Sequence, residues 1–437
     1  MEAPFRAYDV RGIVDDDITP EFAKRLGNGV AQYLKTDTLI VGRDIRPSSK
    51  ALSEALIQGM NEVGVDVIDI GECTTPMVYF AINNESVGGG VMITASHNPP
   101  EYNGFKICGP HAVPIDAGNG LPNVEALTKN PVSQKEGDRI VKDVQDEYIS
   151  HVLTFAQDTG SSKIVMDGGN ATAGLVVPAI FENTEIQRVP LYLKPDGSFP
   201  NHHPNPMIDK NTIDLRQKVV QEKADAGFTW DGDSDRFFIC DEKGQMIAPD
   251  VFFAFMVDSL LENGKIVKNA LCGHIVDDVA DGKDISVHKE RVGHGFIKRA
   301  MRDQKADLGA EHSAHYYFKK NWYADDGIIA SVIAASIISK GDAPLSERIK
   351  PYQTYKKSGE INFEVEDRDA VVQAVQQAYP PEKQDTIDGI TIDLGSGWFN
   401  IRKSNSEPVV RLNVEAETEE QKDALLSDAK AIINGAS

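Results

Sequence analysis

The chain has 437 residues, 41% of them hydrophobic and 26% charged, a composition expected of a soluble globular protein with two to four domains rather than one core. Forty-five Lys and Arg against 67 Asp and Glu leave a net charge of −22. That charge argues against non-specific binding to nucleic acid or an anionic membrane, while a few local Arg and Lys can still grip an anionic substrate. Cys73, Cys108, Cys240 and Cys272 form no CxxC pair and read as free thiols of a reducing compartment. The start, MEAPFRAYDVRG, has neither the basic nor the apolar region of a signal peptide, so a cytoplasmic location is expected. The longest apolar stretch, residues 327–338, reads as a core helix too short to span a bilayer.

Strand-like and helix-like patterns alternate from the first residues. TLIVGRD (38–44) is followed by a helical pattern, then VDVIDIG, another helical pattern, and GGGVMITASHN. This βαβαβ order implies a largely parallel sheet. A second round runs from KIVMDGG (163–169) through IQRVPLY and NTIDLRQKVVQEK to GFTWDGDSDR. A third, less regular round takes NALCGHIV, DISVHKE, the helical HGFIKRAMRDQ and ADLGAEHSAHYY. After residue 356 the pattern changes to strand, helix, a run of strands and a last helix, an α+β domain with antiparallel strands. The expected fold is three similar α/β domains with mixed, mainly parallel sheets plus a smaller C-terminal α+β domain, around a central cleft. The expected boundaries are 1–145, 146–246, 247–356 and 357–437.

Each α/β round ends in a polar cluster just after a strand, where open α/β sheets bind ligands. In DGDSDR, Asp231, Asp233 and Asp235 alternate in a loop, as oxygen ligands of one hard cation do. An EF-hand is ruled out, because its sixth position is Arg236 instead of glycine and an apolar strand follows. A magnesium site fits better, with a solvated acidic turn as the plain alternative. Ser96 ends the apolar run Val91-Met92-Ile93 in TASHN, without the GxSxG elbow of acyl transferases. In isolation it is a turn residue; with a metal and cationic neighbours such as Lys106 it can accept a phosphoryl group. In GAEHSAH, Glu311, Ser313 and His315 alternate and share one side if the loop is extended. Carboxylate and hydroxyl suit sugar hydroxyls, and the absent HExxH order argues against zinc. Arg402, Ser404, Asn405 and Ser406, with Arg411 beyond, have the make-up of a phosphate cradle. Arg11 can reach a phosphate, whereas Arg43 and Arg46 are expected in structural ion pairs.

Together TASHNP, DGDSDR, the sugar loop and RKSNSEP, with YDVRG at the start, resemble the α-D-phosphohexomutases in order and spacing over essentially the whole chain. Within that family the chain looks most like the bacterial phosphomannomutases. The resemblance implies that Ser96 is carried as phosphoserine and that Asp231, Asp233 and Asp235, with a Ser96 phosphate oxygen, hold one Mg²⁺. It implies transfer through a hexose 1,6-bisphosphate that reorients between two half-reactions. Ser96, His97, Lys106, Arg11 and His294 would be the catalytic groups. Tyr8, Glu311, Ser313, His315, Arg402, Ser404, Asn405, Ser406 and Arg411 would bind substrate, and Arg236 would line the site. Hexose phosphates are the expected partners, with no nucleic acid or membrane, and the chain is expected as a monomer or homodimer. Three departures stand out. Gly309 lies one place early, so that Ala310 precedes Glu311; Ala314 follows Ser313 where many members have glycine; and the start of the third domain has no clear counterpart of the family's basic residue, since NALCGHIVDD offers only His274. Mannose 1-phosphate and mannose 6-phosphate are the expected substrates. The alternatives are a phosphoglucomutase or dual-specificity enzyme, a magnesium-dependent phosphatase, and a non-catalytic sugar-phosphate binder.

Overall fold

The structure is a computed structural model that describes residues 4–134, 136–157, 159–404 and 409–436. The chain divides into two compact units, Met1–Ile247 with Ser313–Arg348, and Ala248–His312 with Ile349–Ser437. No helix among the described residues is long and apolar enough to cross a membrane, and all four cysteines are buried and none is in a disulfide.

In the first unit a six-stranded sheet has the order Val10–Ile13, Tyr102–Cys108, Gly90–Ile93, Thr38–Arg43, Asp66–Glu72, Arg139–Val141. The last four run parallel to one another, and the first two are antiparallel to their neighbours. Leu39, Ile40, Val41, Val91, Met92 and Ile93 are fully buried, as residues of a sheet covered on both faces are. The helix Pro20–Leu34 starts where the Thr19 hydroxyl accepts from the Phe22 amide and proline takes the first turn. A second sheet has the order Phe237–Asp241, Ala226–Trp230, Lys163–Asp167, Gln187–Leu191, with only the first pairing antiparallel. The helix Gly327–Ser339 is buried along twelve of its thirteen residues, which explains its lack of a polar face. Its amide ends at Ile328 and Ile329 donate to the Asp326 carboxylate.

In the second unit the strands Asp284–Glu290, Asn263–Asn269 and Leu308–Ala310 are parallel. The expected strand at NALCGHIV is corrected: the strand is Asn263–Asn269, and this stretch turns through Gly273 into the helix Ile275–Asp281. The C-terminal sheet is antiparallel throughout, with Val409–Ala416 paired to Gly397–Lys403, Ile361–Glu364 and Lys356–Lys357. The helices Arg368–Ala378 and Glu419–Ala436 close its core of Val371, Phe399, Leu412, Ala429 and their neighbours.

Candidate active site

The strand Gly90–Ile93 stops where Ser96 takes a left-handed conformation, φ 52°. For a residue with a side chain that costs about 1–3 kcal/mol and persists only if its surroundings enforce it. Arg46 enforces it. Its guanidinium, 0% exposed, donates to the carbonyls of Ser96 (2.9 Å), Asn98 (2.7 Å), Pro99 (2.6 Å) and Tyr102 (3.1 Å) and pairs with Asp44 at 3.0 Å. The ion pair expected of Arg46 is present, and beyond it Arg46 is the frame of the serine loop. The Ser96 amide donates to the Thr94 hydroxyl at 2.8 Å. The Ser96 hydroxyl is thereby aimed at the Asp231 carboxylate, to which it donates at 2.7 Å.

Asp231, Asp233 and Asp235 follow the strand Ala226–Trp230 and are buried, each offering an oxygen within 4.8 Å of the others. The loop reaches Ser96 because residue 232 is glycine: a Cβ there would lie 2.1 Å from the Ser96 carbonyl oxygen. Thr75, at the N-terminus of the helix Thr75–Asn84, donates its hydroxyl to Asp233 Oδ2 at 2.6 Å and its amide to the Asp233 carbonyl at 2.9 Å. Lys106, from the antiparallel strand beside Ser96's own, places Nζ 2.6 Å from Asp233 and 2.5 Å from Asp235. Burial opposes its charge, but the two carboxylates outweigh burial and hold it protonated. Asp231 is pushed up, chiefly by burial and then by Asp235 and Asp233. Asp233 Oδ1 is buried and accepts no hydrogen bond among the described residues. Three convergent carboxylates, one with a spare oxygen, are a donor set that fits a hard divalent cation.

Three cationic or imidazole groups surround the serine. Arg11 donates to Asn98 Oδ1 at 2.7 Å and pairs with Asp9. Arg236 donates through Nη2 to His97 Nδ1 at 2.7 Å, and that nitrogen also lies 3.2 Å from the Ser96 hydroxyl. Burial and the charges of Arg236, Arg11 and Lys106 hold His97 well below the usual imidazole range. His97 Nδ1 is therefore an acceptor for Arg236. His315 Nε2 lies 3.3 Å from Asp235 and 3.8 Å from Asp325, and its Nδ1 lies 3.1 Å from the Ser313 hydroxyl. The segment carrying Ser313 is not extended, as its alternation suggested; it is a turn with Ala314 left-handed at φ 70°. Tyr8 sits half-buried in the bend before the strand Val10–Ile13.

The remaining expected groups lie in the second unit. Glu311, 1% exposed, accepts the Gly293 amide at 2.9 Å, where the helix His294–Gln304 begins, and Asn269 Nδ2 at 3.3 Å. His294 is the first residue of that helix. Arg402 and Arg411 stand opposite each other on paired strands, and both bind Glu360, at 3.0 and 3.1 Å. Ser404 donates its amide to the Val409 carbonyl at 2.9 Å. Asn405 and Ser406 lie outside the described residues. His274 sits 3.5 Å from Asp393, but it is not the basic group nearest the start of this region. Lys268, 2% exposed, donates to the carbonyls of Cys272 and Gly273 and to Asp277. It was missed because a lysine inside an apolar strand reads as its polar edge. Thr75, Glu360 and the carbonyl partners of Arg46 were missed because these contacts join groups distant in sequence.

Such a site, a buried serine facing three carboxylates beside fixed cations, is built for phosphoryl chemistry assisted by a metal. The four domain models of the phosphoglucomutase/phosphomannomutase family match this chain in order: alpha/beta/alpha domain I over residues 2–131, domain II over 146–244, domain III over 248–355 and the C-terminal domain over 360–431. The chain is 37% identical to the phosphohexose mutases of Xanthomonas campestris pv. campestris (strain B100), covering 94% of both chains. It is 35% identical to the phosphomannomutase of Escherichia coli (strain K12), again covering 94% of both. A solved phosphoglucomutase/phosphomannomutase family protein from Burkholderia thailandensis superposes with a TM-score of 0.91 at 28% identity, covering 99% of this chain and 97% of that one.

The chain belongs to the phosphoglucomutase/phosphomannomutase family. It is a phosphohexomutase, an isomerase of the intramolecular phosphotransferase type, with three α/β domains and a C-terminal domain.

Proposed function

We propose that this phosphohexomutase interconverts mannose 1-phosphate and mannose 6-phosphate through phosphoserine at Ser96 and a hexose 1,6-bisphosphate. The observation that carries the reading is the buried Ser96 hydroxyl 2.7 Å from Asp231, within a set of three carboxylates. The phosphomannomutase relatives support mannose as the sugar. Asp231, Asp233 and Asp235 would hold Mg²⁺, which when bound supplies Lewis-acid charge to the phosphoryl oxygens. Arg46 keeps the serine loop in its strained form, so that Oγ points at the carboxylates in every turnover. Lys106 offsets Asp233 and Asp235, and Arg11 and Arg236 present guanidinium groups to the phosphoryl oxygens. His97, neutral, receives Arg236 and fixes its plane. Glu311 and Ser313 are assigned to the ring hydroxyls, Arg402, Ser404, Asn405, Ser406 and Arg411 to the distal phosphate, and Tyr8, His294 and His315 to the substrate's surroundings.

A coupled assay for mannose 6-phosphate formed from mannose 1-phosphate tests the reading. Isomerised product that depends on Mg²⁺ supports it; free phosphate without isomerised sugar points to a phosphatase instead. Ser96→Ala is expected to abolish turnover, by at least a thousandfold, while leaving substrate binding within a few-fold. A labelled phosphoenzyme should survive hydroxylamine, which cleaves an aspartyl phosphate and spares phosphoserine.

A further inference from the structure

Residues 199–208, FPNHHPNPMI, follow the strand Gln187–Leu191 and are tied down at two points. Asn201 Nδ2 donates to Asn170 Oδ1 at 2.7 Å, and Asn211 Nδ2 donates to the Asn205 carbonyl at 2.9 Å. Between these points His202 reaches inward to Asp167, the last residue of the strand Lys163–Asp167 and 0% exposed. His202 Nε2 lies 3.1 and 3.3 Å from the two Asp167 oxygens, and Nδ1 lies 2.9 Å from the His203 carbonyl oxygen. Both partners are acceptors. A neutral imidazole has one N–H and satisfies one of them; the doubly protonated ring satisfies both.

Beyond this anchor the segment touches the phosphoryl site. Pro204 Cγ lies 3.3 Å from where a Cβ on Gly232 would stand. Met207 Sδ accepts from Arg236 Nη1 at 3.6 Å, and Arg236 Nη2 donates to His97 beside Ser96. Asp231 at 3.5 Å and Asp235 at 3.8 Å already face Arg236 Nε. A thioether is a weak, uncharged acceptor, so Met207 seats Nη1 without adding a third negative group.

We propose that His202 and Asp167 are a positioning pair, which holds segment 199–208 so that Met207 seats Arg236 against His97 at the phosphoryl site. The proposal rests on the function given above for the Ser96 site. The groups facing His202 are Asp167 from the sheet, Asp214 from the helix Ile213–Glu222, and the Tyr192 ring at 5.6 Å, whose hydroxyl donates to Asp214 at 2.8 Å. Burial lowers the affinity of His202 for its second proton, but the Asp167 hydrogen bond and charge outweigh it and the net shift is upward. A raised histidine pKa gives stabilisation that is complete below the imidazole's ordinary value and is lost as pH rises through the raised one. With both ring nitrogens facing acceptors, the doubly protonated ring is the form that closes the pair.

Nitrogen-15 NMR of the imidazoles in the full chain tests the pair, with the His202 signals assigned by their loss in His202→Gln. Doubly protonated His202 at pH 7 is expected, and a neutral ring overturns the pair. In His202→Gln, hydrogen exchange across 199–208 should rise at least tenfold while exchange in the strand Ala226–Trp230 stays as in wild type. Unchanged exchange in 199–208 overturns the anchoring. Met207→Ala, at a half-exposed position that folding tolerates, should lower kcat for mannose phosphate conversion about tenfold with KM within twofold. Wild-type kcat in Met207→Ala overturns the link to Arg236. Should wild-type protein fail to interconvert the mannose phosphates, the function falls, whereas the spectra and exchange still decide the pair.

Discussion

Gly232 illustrates how one missing side chain sets the distance between the serine and the carboxylates. A methyl group there meets the Ser96 carbonyl at 2.1 Å, backbone against backbone, so the two loops must separate. Gly232→Ala is expected to cost about 1–3 kcal/mol of stability and to lower turnover far more than that loss of folded protein explains; thermal melts and a mutase assay on the same preparation separate the two. Lys106→Met gives a second outcome. It leaves Asp233 and Asp235 buried without their cation, at a cost of about 3–5 kcal/mol. Because Mg²⁺ replaces part of the lost charge, the melting midpoint of this variant should rise more with added MgCl₂ than that of wild type. The aspartate cluster was legible in the sequence from its alternation, whereas Ser96 and Lys106 stood out only beside it, since a serine that ends a strand is by itself a turn residue. Arg46 was half legible: its pairing with Asp44 follows from a separation of two residues, but its four carbonyl partners lie some fifty residues on and are visible only in the fold. The downward shift of His97 was not legible at all, since it depends on burial and on three cations brought from elsewhere.

Among elements, strands with apolar runs and helices with caps were readable, and loops were not. TLIVGRD and GGGVMITASHN became the strands Thr38–Arg43 and Gly90–Ile93 because β-branched runs bounded by glycine have few other outcomes. The run at 269–276 misled because a buried lysine, Lys268, hid the true strand, and Gly273 opened a turn inside the apparent one. The Glu311–His315 loop misled because alternation implies a shared side only in extended backbone, which left-handed Ala314 breaks. His274 and Asp393 join the helix Ile275–Asp281 region to the strand Ile390–Asp393. Their hydrogen bond is the largest cause of both shifts: His274 brings Asp393 down to about 2, and Asp393 raises His274. The histidine contribution is complete below its unfolded pKa and lost as pH rises through the raised value; the aspartate contribution is lost as pH falls toward 2. Solvent screens a half-exposed pair, so the effect is under about 1 kcal/mol. His274→Gln should flatten the fall in melting midpoint between about pH 6 and pH 8, as measured by pH-series calorimetry.

At the scale of the whole molecule the two units differ in what they hold. All three aspartates, Ser96 and Lys106 belong to the first unit. In calorimetry, Mg²⁺ is expected to raise the transition of that unit and leave that of the second in place. A net charge of −22 adds a general repulsion that salt screens, so both transitions should move up from about 0.01 to 0.15 M NaCl. The first unit is also discontinuous in sequence: Ser313–Arg348 completes it after an excursion through the second. Tyr148 waits for Asp326, and the Trp230 indole for the Gly327 carbonyl. A ribosome adding about 5–20 residues per second reaches these partners on the order of 5–20 s after residue 247 has been made. Through that interval the nascent chain carries an aspartate loop that still lacks its backbone bonds to Ala314 and Gly327, over an unfilled apolar seat for the helix Gly327–Ser339. Birth of the protein, not its mature state, is therefore when it is most exposed to aggregation, and a fragment ending at Ile247 is expected to be captured by chaperones where the full chain is released.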